Sequence, residues 1–404
     1  MVPDPDRIAA RLQALWEVAQ GPGGGADRPA YSPAEAQAMR LVAGWAAELG
    51  LAPAVDPHGN LWALPPDTRG PLVTSGSHVD TVPDGGRYDG ALGTVLGLEL
   101  VADLAAAGET RAGLLVCAAE EAPRFGAGTV GSRLLTGALA ESALDDLHDD
   151  AGVSARDARD GYLAALGDLP RVNDPPTGRV RAHAEVHVAL RFGPPQLGIV
   201  TRVASPRRLE VVIDGEPGHA GEVAMDERHD ALAAAAEVVL AVERAALAEP
   251  AETVATVGTL TVTPGAVSVI PGAARLGIDM RAIEGDSLDR LQQAVDAAVG
   301  EIAEDRGVQA TVTLTREGSP VAMDPELASD ALRVAREHGI GAVSTWSGAG
   351  HDAQHINGLV PSLLMFVPLH DGQSHTPQEG AQMAEILNAT EVVAVVMGAV
   401  IRQM

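Results

Sequence analysis

Lysine is missing from this chain: all 28 basic residues are arginine. Schiff-base catalysis, attachment of pyridoxal phosphate and the lysine of a P-loop are therefore excluded. Cysteine is nearly absent as well. The single Cys117 rules out an intramolecular disulfide and a structural site built on thiolates, and it suits a reducing cytoplasm. Aromatic residues make up only 2% of the 404, so the apolar content comes from Ala, Val and Leu. Positive charge is scarce too. Fifty-five acids against 28 arginines leave a net charge of −27, which argues against nucleic acid or an anionic membrane as a partner. No apolar run is expected to approach the ~18–20 residues that span a bilayer. The opening MVPDPDRIAA lacks the basic-then-apolar pattern of an export signal; cytoplasmic residence is the expectation.

What is present divides into two patterns. Helical periodicity covers 5–19 and 33–49. An apolar run at 71–79 enters a turn rich in Gly and Asp, then a helix over about 91–107, then a second buried strand at 112–119. Strand, helix, strand implies a parallel sheet whose functional edge lies at the strands' C-terminal ends. Residues 136–167 read as polar and helical, and 182–190 alternate like a strand. After about 206 the order becomes β-α-β-β-α-β, with strands at 209–214, 253–263, 275–281 and 308–315 and helices at 230–247 and 286–305. That is the split βαβ sandwich. From 319 the α/β pattern returns. The prediction is a discontinuous α/β catalytic domain, 1–205 and 318–404, with a mostly parallel sheet between flanking helices. An inserted α+β domain occupies 206–317.

Side chains able to hold metal collect at the predicted strand ends. They are His78 and Asp80, two apart at the end of one strand, and Asp89 in the following loop. Glu120 and Glu121 close the next strand, His187 lies in the alternating segment, and His375 in the loop DGQSHTPQE. Imidazole with carboxylate suits zinc and neighbouring divalent ions. Two metals need about six ligand positions, and one carboxylate can bridge both; Asp89, alone in its loop, is the natural bridge. Successive residues of a strand face opposite ways, so one of Glu120 and Glu121 is expected to ligate and the other to act as general base.

Six motifs then occur in order: GSHVDTVPDGGRYDGALG, EEAPRFGAGTVGSRLLTG, HAGEVAMDERHDAL, VSVIPGAARLGIDMR, SGAGHDA and SHTPQE. Together they resemble the dinuclear-metal amidohydrolases related to aminoacylases and carboxypeptidases. Within these they resemble the branch of carbamoylases, allantoate amidohydrolases and β-ureidopropionases. The resemblance implies that His78, Asp89 and His187 hold one metal and that Asp89, Glu121 and His375 hold the other. Zinc is the first choice, with manganese, cobalt or nickel as others. It makes Asp80 the partner of His78, and Glu120 the base that activates the bridging water and then protonates the leaving nitrogen. His219 would stabilise the oxyanion, Arg281 would clamp a substrate carboxylate, and Gly350 and His351 would line the same pocket. The inserted domain would serve as lid and as the interface of a homodimer.

Three positions depart from that pattern. Leu190 stands where the branch has a glutamine that contacts substrate, Ser268 where it has an asparagine, and Glu222 where it has a threonine. The metal chemistry is kept while polar substrate readout is reduced, a change that favours less polar substrates. The sequence therefore predicts a metal-dependent hydrolase of a linear amide or ureide on a small N-carbamoyl- or N-acyl-amino-acid-like molecule. The alternatives are a dipeptidase or deacylase with a more apolar pocket, or a non-catalytic binding protein on the same scaffold.

Overall fold

The computed structural model describes residues 3–66, 69–189, 196–370 and 373–404. Its chain forms two compact units. One comprises residues 1–201, 322–345 and 350–404, and the other 202–321 with 346–349. The segment 346–349, read from the sequence as part of a loop of the first unit, clusters with the second.

The first unit begins with α1 (Pro5–Trp16) and α2 (Pro33–Glu48). Each has an oxygen-bearing cap followed by proline: Asp4 accepts the Asp6 and Arg7 amides, and Ser32 accepts that of Glu35. Next come β1 (Ala52–Val55), β2 (Leu61–Leu64), β3 (Leu72–Ser75), α3 (Ala91–Ala106), β4 (Ala112–Val116), α4 (Val130–Thr136), α5 (Ala155–Ala165), β5 (Val180–Ala189) and β6 (Leu197–Val203). The second unit supplies β7 (Ser205–Asp214), β8 (Gly218–His219), α6 (Ala231–Leu247), β9 (Val254–Thr263), β10 (Val269–Ile270), β11 (Ala273–Ala282), α7 (Gly285–Arg306) and β12 (Gln309–Arg316). The chain ends with β13 (Val321–Ala322), α8 (Pro325–Glu337), β14 (Ala342–Ser347), α9 (Asp352–Ile356), β15 (Ser362–Pro368) and α10 (Met383–Gln403).

The large sheet runs β1-β2-β4-β3-β5-β15-β6-β13, with β14 also against β6. Its centre, β4-β3-β5-β15, is parallel, and antiparallel pairs flank it. Central strands buried on both faces read as continuous apolar runs, as all-buried β4 does, while β3, also fully buried, ends in Thr74 and Ser75. Leucine, valine and alanine fill the core: Val73, Leu114, Val186 and Met365 of the strands pack with Leu92 and Val95 of α3 and Val392 and Val396 of α10. A fully buried Leu or Val contributes about 1.5–3 kcal/mol, so numbers substitute for the missing aromatics. Arg11 of α1 donates to fully buried Glu99 of α3 at 3.0 Å, which ties the first helix to the core.

Three sequence expectations are corrected. β3 and β4 stop at Ser75 and Val116 rather than 79 and 119. At Gly76, with φ +155°, a Cβ would lie 1.9 Å from the Leu115 carbonyl oxygen, so the chain turns where no side chain fits. Within 136–167 the regular helix is α5, preceded by a 3₁₀ turn at Glu141–Asp145; Gly137, at φ +75°, ends α4. Helix α10 is long and apolar enough to cross a membrane by length and composition. Its buried residues, Ile386 to Ile401, belong to the core of the first unit.

In the second unit β12-β7-β11-β9 form an antiparallel sheet, with α6 and α7 on one face. Burial alternates residue by residue along β7, the period of a half-buried strand. Its inward residues Leu209, Val211 and Ile213 meet Ala234, Ala235 and Val238 of α6. The outer face carries ion pairs across strands, Arg208–Asp279 and Arg275–Glu210. β8 and β10 form a separate two-stranded ribbon.

Candidate metal centre

Because β4, β3, β5 and β15 run parallel, their C-terminal ends open on one edge of the sheet. His78 lies just past β3, Glu120 and Glu121 just past β4, His187 near the end of β5, and His375 in the segment after β15. Asp89 precedes α3, where the helix dipole favours a carboxylate. His78 and Asp80 are already beyond the strand, so the pleat does not align them. A loop does: His78 Nδ1 lies 3.1 Å from the Asp80 carbonyl oxygen and 3.3 Å from its Oδ1. The Asp80 carboxylate also accepts the Glu120 and Glu121 amides, at 3.1 and 2.9 Å. Left-handed Ala119, at φ +55°, bends the chain before this pair. Both glutamates therefore reach the cluster from the loop, at different ends of it.

The convergence is tight and buried except at His375, whose side chain is 52% exposed. Asp89 Oδ1 lies 3.1 Å from His187 Nε2 and 3.6 Å from His78 Nε2. Its Oδ2 lies 3.1 Å from His375 Nε2, which is 3.7 Å from Glu121 Oε1. Glu120 Oε2 is 3.8 Å from His78 Nε2. Two donor sets result, His78–Asp89–His187 and Asp89–Glu121–His375. One carboxylate turns one oxygen to each set, as a bridging ligand does. Burial works against the charged form of Asp89, but His187, His375 and His78 outweigh it and hold its carboxyl well below the usual range. Burial raises the carboxyls of Glu120, well above the ordinary range, and of Glu121, to about 8. A hydrogen bond to Asp89 lifts His375 to about 9.

The donor set fits divalent metal. His78 Nδ1 faces the Asp80 carbonyl and His187 Nδ1 faces the Val188 carbonyl, at 3.1 and 3.3 Å. A carbonyl beside each Nδ1 turns the two Nε2 atoms toward each other, 3.3 Å apart. A divalent cation bound there would take both as ligands. A further group, Glu185, His187 and His351, also lies close enough to bind metal. There Glu185 already accepts from the Ser77 hydroxyl and the Ala353 amide, both at 2.7 Å.

Glu379 carries no mark of its own in the sequence, although it lies within the motif SHTPQE. It accepts the Tyr88 and Asp89 amides, at 2.6 and 3.0 Å, and the Ser374 hydroxyl at 3.0 Å. Ser374 also donates to Asp89 Oδ2 at 3.2 Å, so Asp89 is firmly held rather than loose in its loop. Buried Glu35 likewise accepts the Ala119 amide and fixes the turn that leads to Glu120. Carboxylates that bind backbone amides leave no periodic trace in a sequence, and only co-occurrence with the motif could have marked Glu379.

The remaining expected residues divide between the units. His351, in the first, is buried edge-on against His187 with ring centroids 4.5 Å apart, and exposed Gly350 precedes it. Leu190 and Phe192 lie outside the described residues. His219, Ser268, Glu222 and Arg281 belong to the second unit. His219 pairs with Val269 in the β8–β10 ribbon, and the Ala220 amide donates to the Ser268 carbonyl. Arg281 donates from Nε to Asp279 Oδ1 and from Nη1 to the Gly348 carbonyl, both at 2.8 Å.

A mixed α/β sheet with carboxylates and imidazoles gathered at its C-terminal edge has the make-up of a metal-dependent hydrolase. A model of peptidase family M20/M25/M40 matches residues 75–398, and the chain belongs to that family. It is 33% identical over 407 residues to the N-carbamoyl-L-amino-acid amidohydrolase of Paenarthrobacter aurescens, with 98% of each chain covered. It is 32% identical over 384 residues to the allantoate amidohydrolase of Bacillus subtilis, with 92% of each covered. Among solved structures it is similar to a hydantoinase/carbamoylase family amidase from Burkholderia multivorans. There the TM-score is 0.86 at 30% identity, over 98% of this chain and 97% of that one.

Proposed function

We propose that this protein hydrolyses an N-carbamoyl- or N-acyl-amino acid with two divalent metal ions, zinc first among them, held by His78, Asp89, Glu121, His187 and His375. The observation that carries the reading is Asp89, whose two oxygens address two different histidine sets. Metal bound there would supply Lewis-acid activation of the scissile carbonyl and of water. Glu120 is the proton carrier. It takes a proton from the attacking water and returns it to the leaving nitrogen, a task suited to a carboxyl whose affinity for protons burial has raised. Asp80 orients His78 and, through its two amide contacts, Glu120 as well.

In the second unit the Gly221 amide donates to His219 Nδ1 at 3.1 Å. A neutral ring so held carries its proton on Nε2, ready to donate to an oxyanion. Asp279 and the Gly348 carbonyl fix the Arg281 fork, and its Nη2 side is the part that would meet a substrate carboxylate. A second reading, a dipeptidase or deacylase with a more apolar pocket, would suit Leu190 and Phe192. A non-catalytic binding role leaves Glu120 without a purpose. We further propose a cytoplasmic homodimer joined through the second unit, without nucleic-acid or membrane partners. The lone buried cysteine suits a reducing compartment, and the acidic charge disfavours nucleic acid and anionic membrane.

The test is hydrolysis of a panel of N-carbamoyl, N-acetyl, N-formyl and dipeptide substrates by metal-loaded protein. Glu120→Gln is expected to lower kcat by about 10²–10⁴-fold with metal content unchanged by elemental analysis. Full turnover by the metal-replete variant would remove Glu120 from the reaction.

A further inference from the structure

Beside the metal cluster, within the first unit, lies a cleft of about 500 Å³ to which no role has been assigned. Four prolines, Pro29, Pro33, Pro83 and Pro123, with Ala30 and Ala151, form half of its wall, and Ser32 and Thr81 add hydroxyls beside its charged residues. Proline has a fixed φ and little side-chain freedom, so the wall is rigid before any ligand arrives, and binding there costs little ordering. Glu121 also lines the cleft, and its carboxylate belongs to the donor set with Asp89 and His375. The cleft thus adjoins the proposed reaction centre at Glu121.

Charge decides what the cleft can take. Among the described residues Arg124 is the one cation in its lining, and it is already committed. Its Nε and Nη2 donate to Asp149 Oδ2, both at 3.2 Å, and its Nη1 donates to the Ala30 carbonyl at 2.7 Å. Its plane also covers the Phe125 ring at 4.9 Å. It therefore serves as wall rather than anion clamp, and the described lining offers an incoming anion no uncommitted cation. An anionic substituent finds no partner there, and a short one leaves the space unfilled.

We infer that this proline-walled cleft is the subsite for an apolar substituent of the substrate, about four carbons or longer, and that it excludes acidic substituents. The inference rests on the proposed amidohydrolase reading and adds to it the substrate class. The substituent could be the amino-acid side chain or the N-acyl chain, and the measurement separates the two.

The probe is calorimetric binding to the metal-loaded Glu120→Gln protein, which needs no turnover. N-carbamoyl-leucine is compared with N-carbamoyl-glycine and N-carbamoyl-aspartate, and N-hexanoyl-glycine with N-acetyl-glycine. Burying four carbons at about 0.8 kcal/mol each sets a ceiling, and a preference of at least about 10-fold is expected in the series that uses the cleft. Ala151, exposed on the rim, is then changed to Trp to fill it. Ala151→Trp should abolish that preference while glycine-ligand affinity and metal content stay as they were. Equal affinity across both series, no binding at all, or a preference untouched by Ala151→Trp would overturn the subsite. Absence of hydrolysis by the wild-type protein over the whole panel would instead overturn the amidohydrolase reading.

Discussion

Asp80 shows how much one buried side chain can organise. Its two oxygens accept two consecutive amides and stand beside a histidine, so a single carboxylate couples the loop after β3 to the loop after β4. His183 is a contrasting case, a buried histidine away from the cluster. It lies in β5, with Nδ1 3.0 Å from the Thr74 hydroxyl, and burial lowers its pKa to about 3. Unfolded, it titrates near 6.5. Below that pH the unfolded chain takes up a proton that the native protein refuses, so stability falls as pH drops from about 6.5 toward 3. Between pH 7.5 and 5.5 the wild type should lose about 1.4 kcal/mol from this residue. Urea unfolding of wild type and His183→Gln at both pH values checks it: the variant should lose that much less. His183 is legible in sequence only as an inward position of an alternating strand. Its protonation state follows from the neighbours that folding supplies.

At the level of elements, α3 owes its position to glycine. At Gly90, with φ +62°, a Cβ would lie 2.4 Å from the His78 ring; at Gly93 it would lie 2.0 Å from the Val186 carbonyl oxygen. The helix therefore lies on β5 more closely than any side chain permits. Gly93→Ala should push α3 away from β5 beside His187, at a cost of about 2–4 kcal/mol in urea unfolding, with reduced metal occupancy by elemental analysis. Gly44, exposed in α2 with nothing within 4 Å of where a methyl would sit, is the control. Gly44→Ala should stabilise by about 0.5–1 kcal/mol. The helix over 91–107 and the strand over 112–119 were readable because an apolar run bounded by turn residues is a local signal. Where those strands stop was not, because the steric limit at Gly76 comes from Leu115 on a neighbouring strand.

For the molecule as a whole, the second unit exposes apolar side chains along one helix. The alanines of α6 could serve either the core or a dimer face as far as sequence goes. In the structure Ala231, Ala234, Ala235 and Ala241 are buried within the unit. Its leucines instead point outward: Leu232, Leu240 and Leu247 are 37%, 52% and 78% exposed. Spaced by eight and seven residues, they share one helix face. If that face joins two copies, Leu240→Glu with Leu247→Glu should convert a dimer to a monomer in sedimentation equilibrium, with the far-UV spectrum unchanged. A dimer that persists would move the interface elsewhere.

The sequence by itself determined the order of elements, the β-α-β-β-α-β insertion and the residue types of the metal cluster. Periodicity, turn residues and clustered His and carboxylates are properties of neighbours along the chain. Tertiary structure alone decided that Asp89 faces two histidine sets, that Asp80 fixes both glutamates and that Glu379 holds Asp89 in place. It also decided that a cleft walled by proline opens beside Glu121. Residues up to about 290 positions apart meet there, and distances between them depend on how strands β3, β4, β5 and β15 are laid side by side. No local pattern encodes that order.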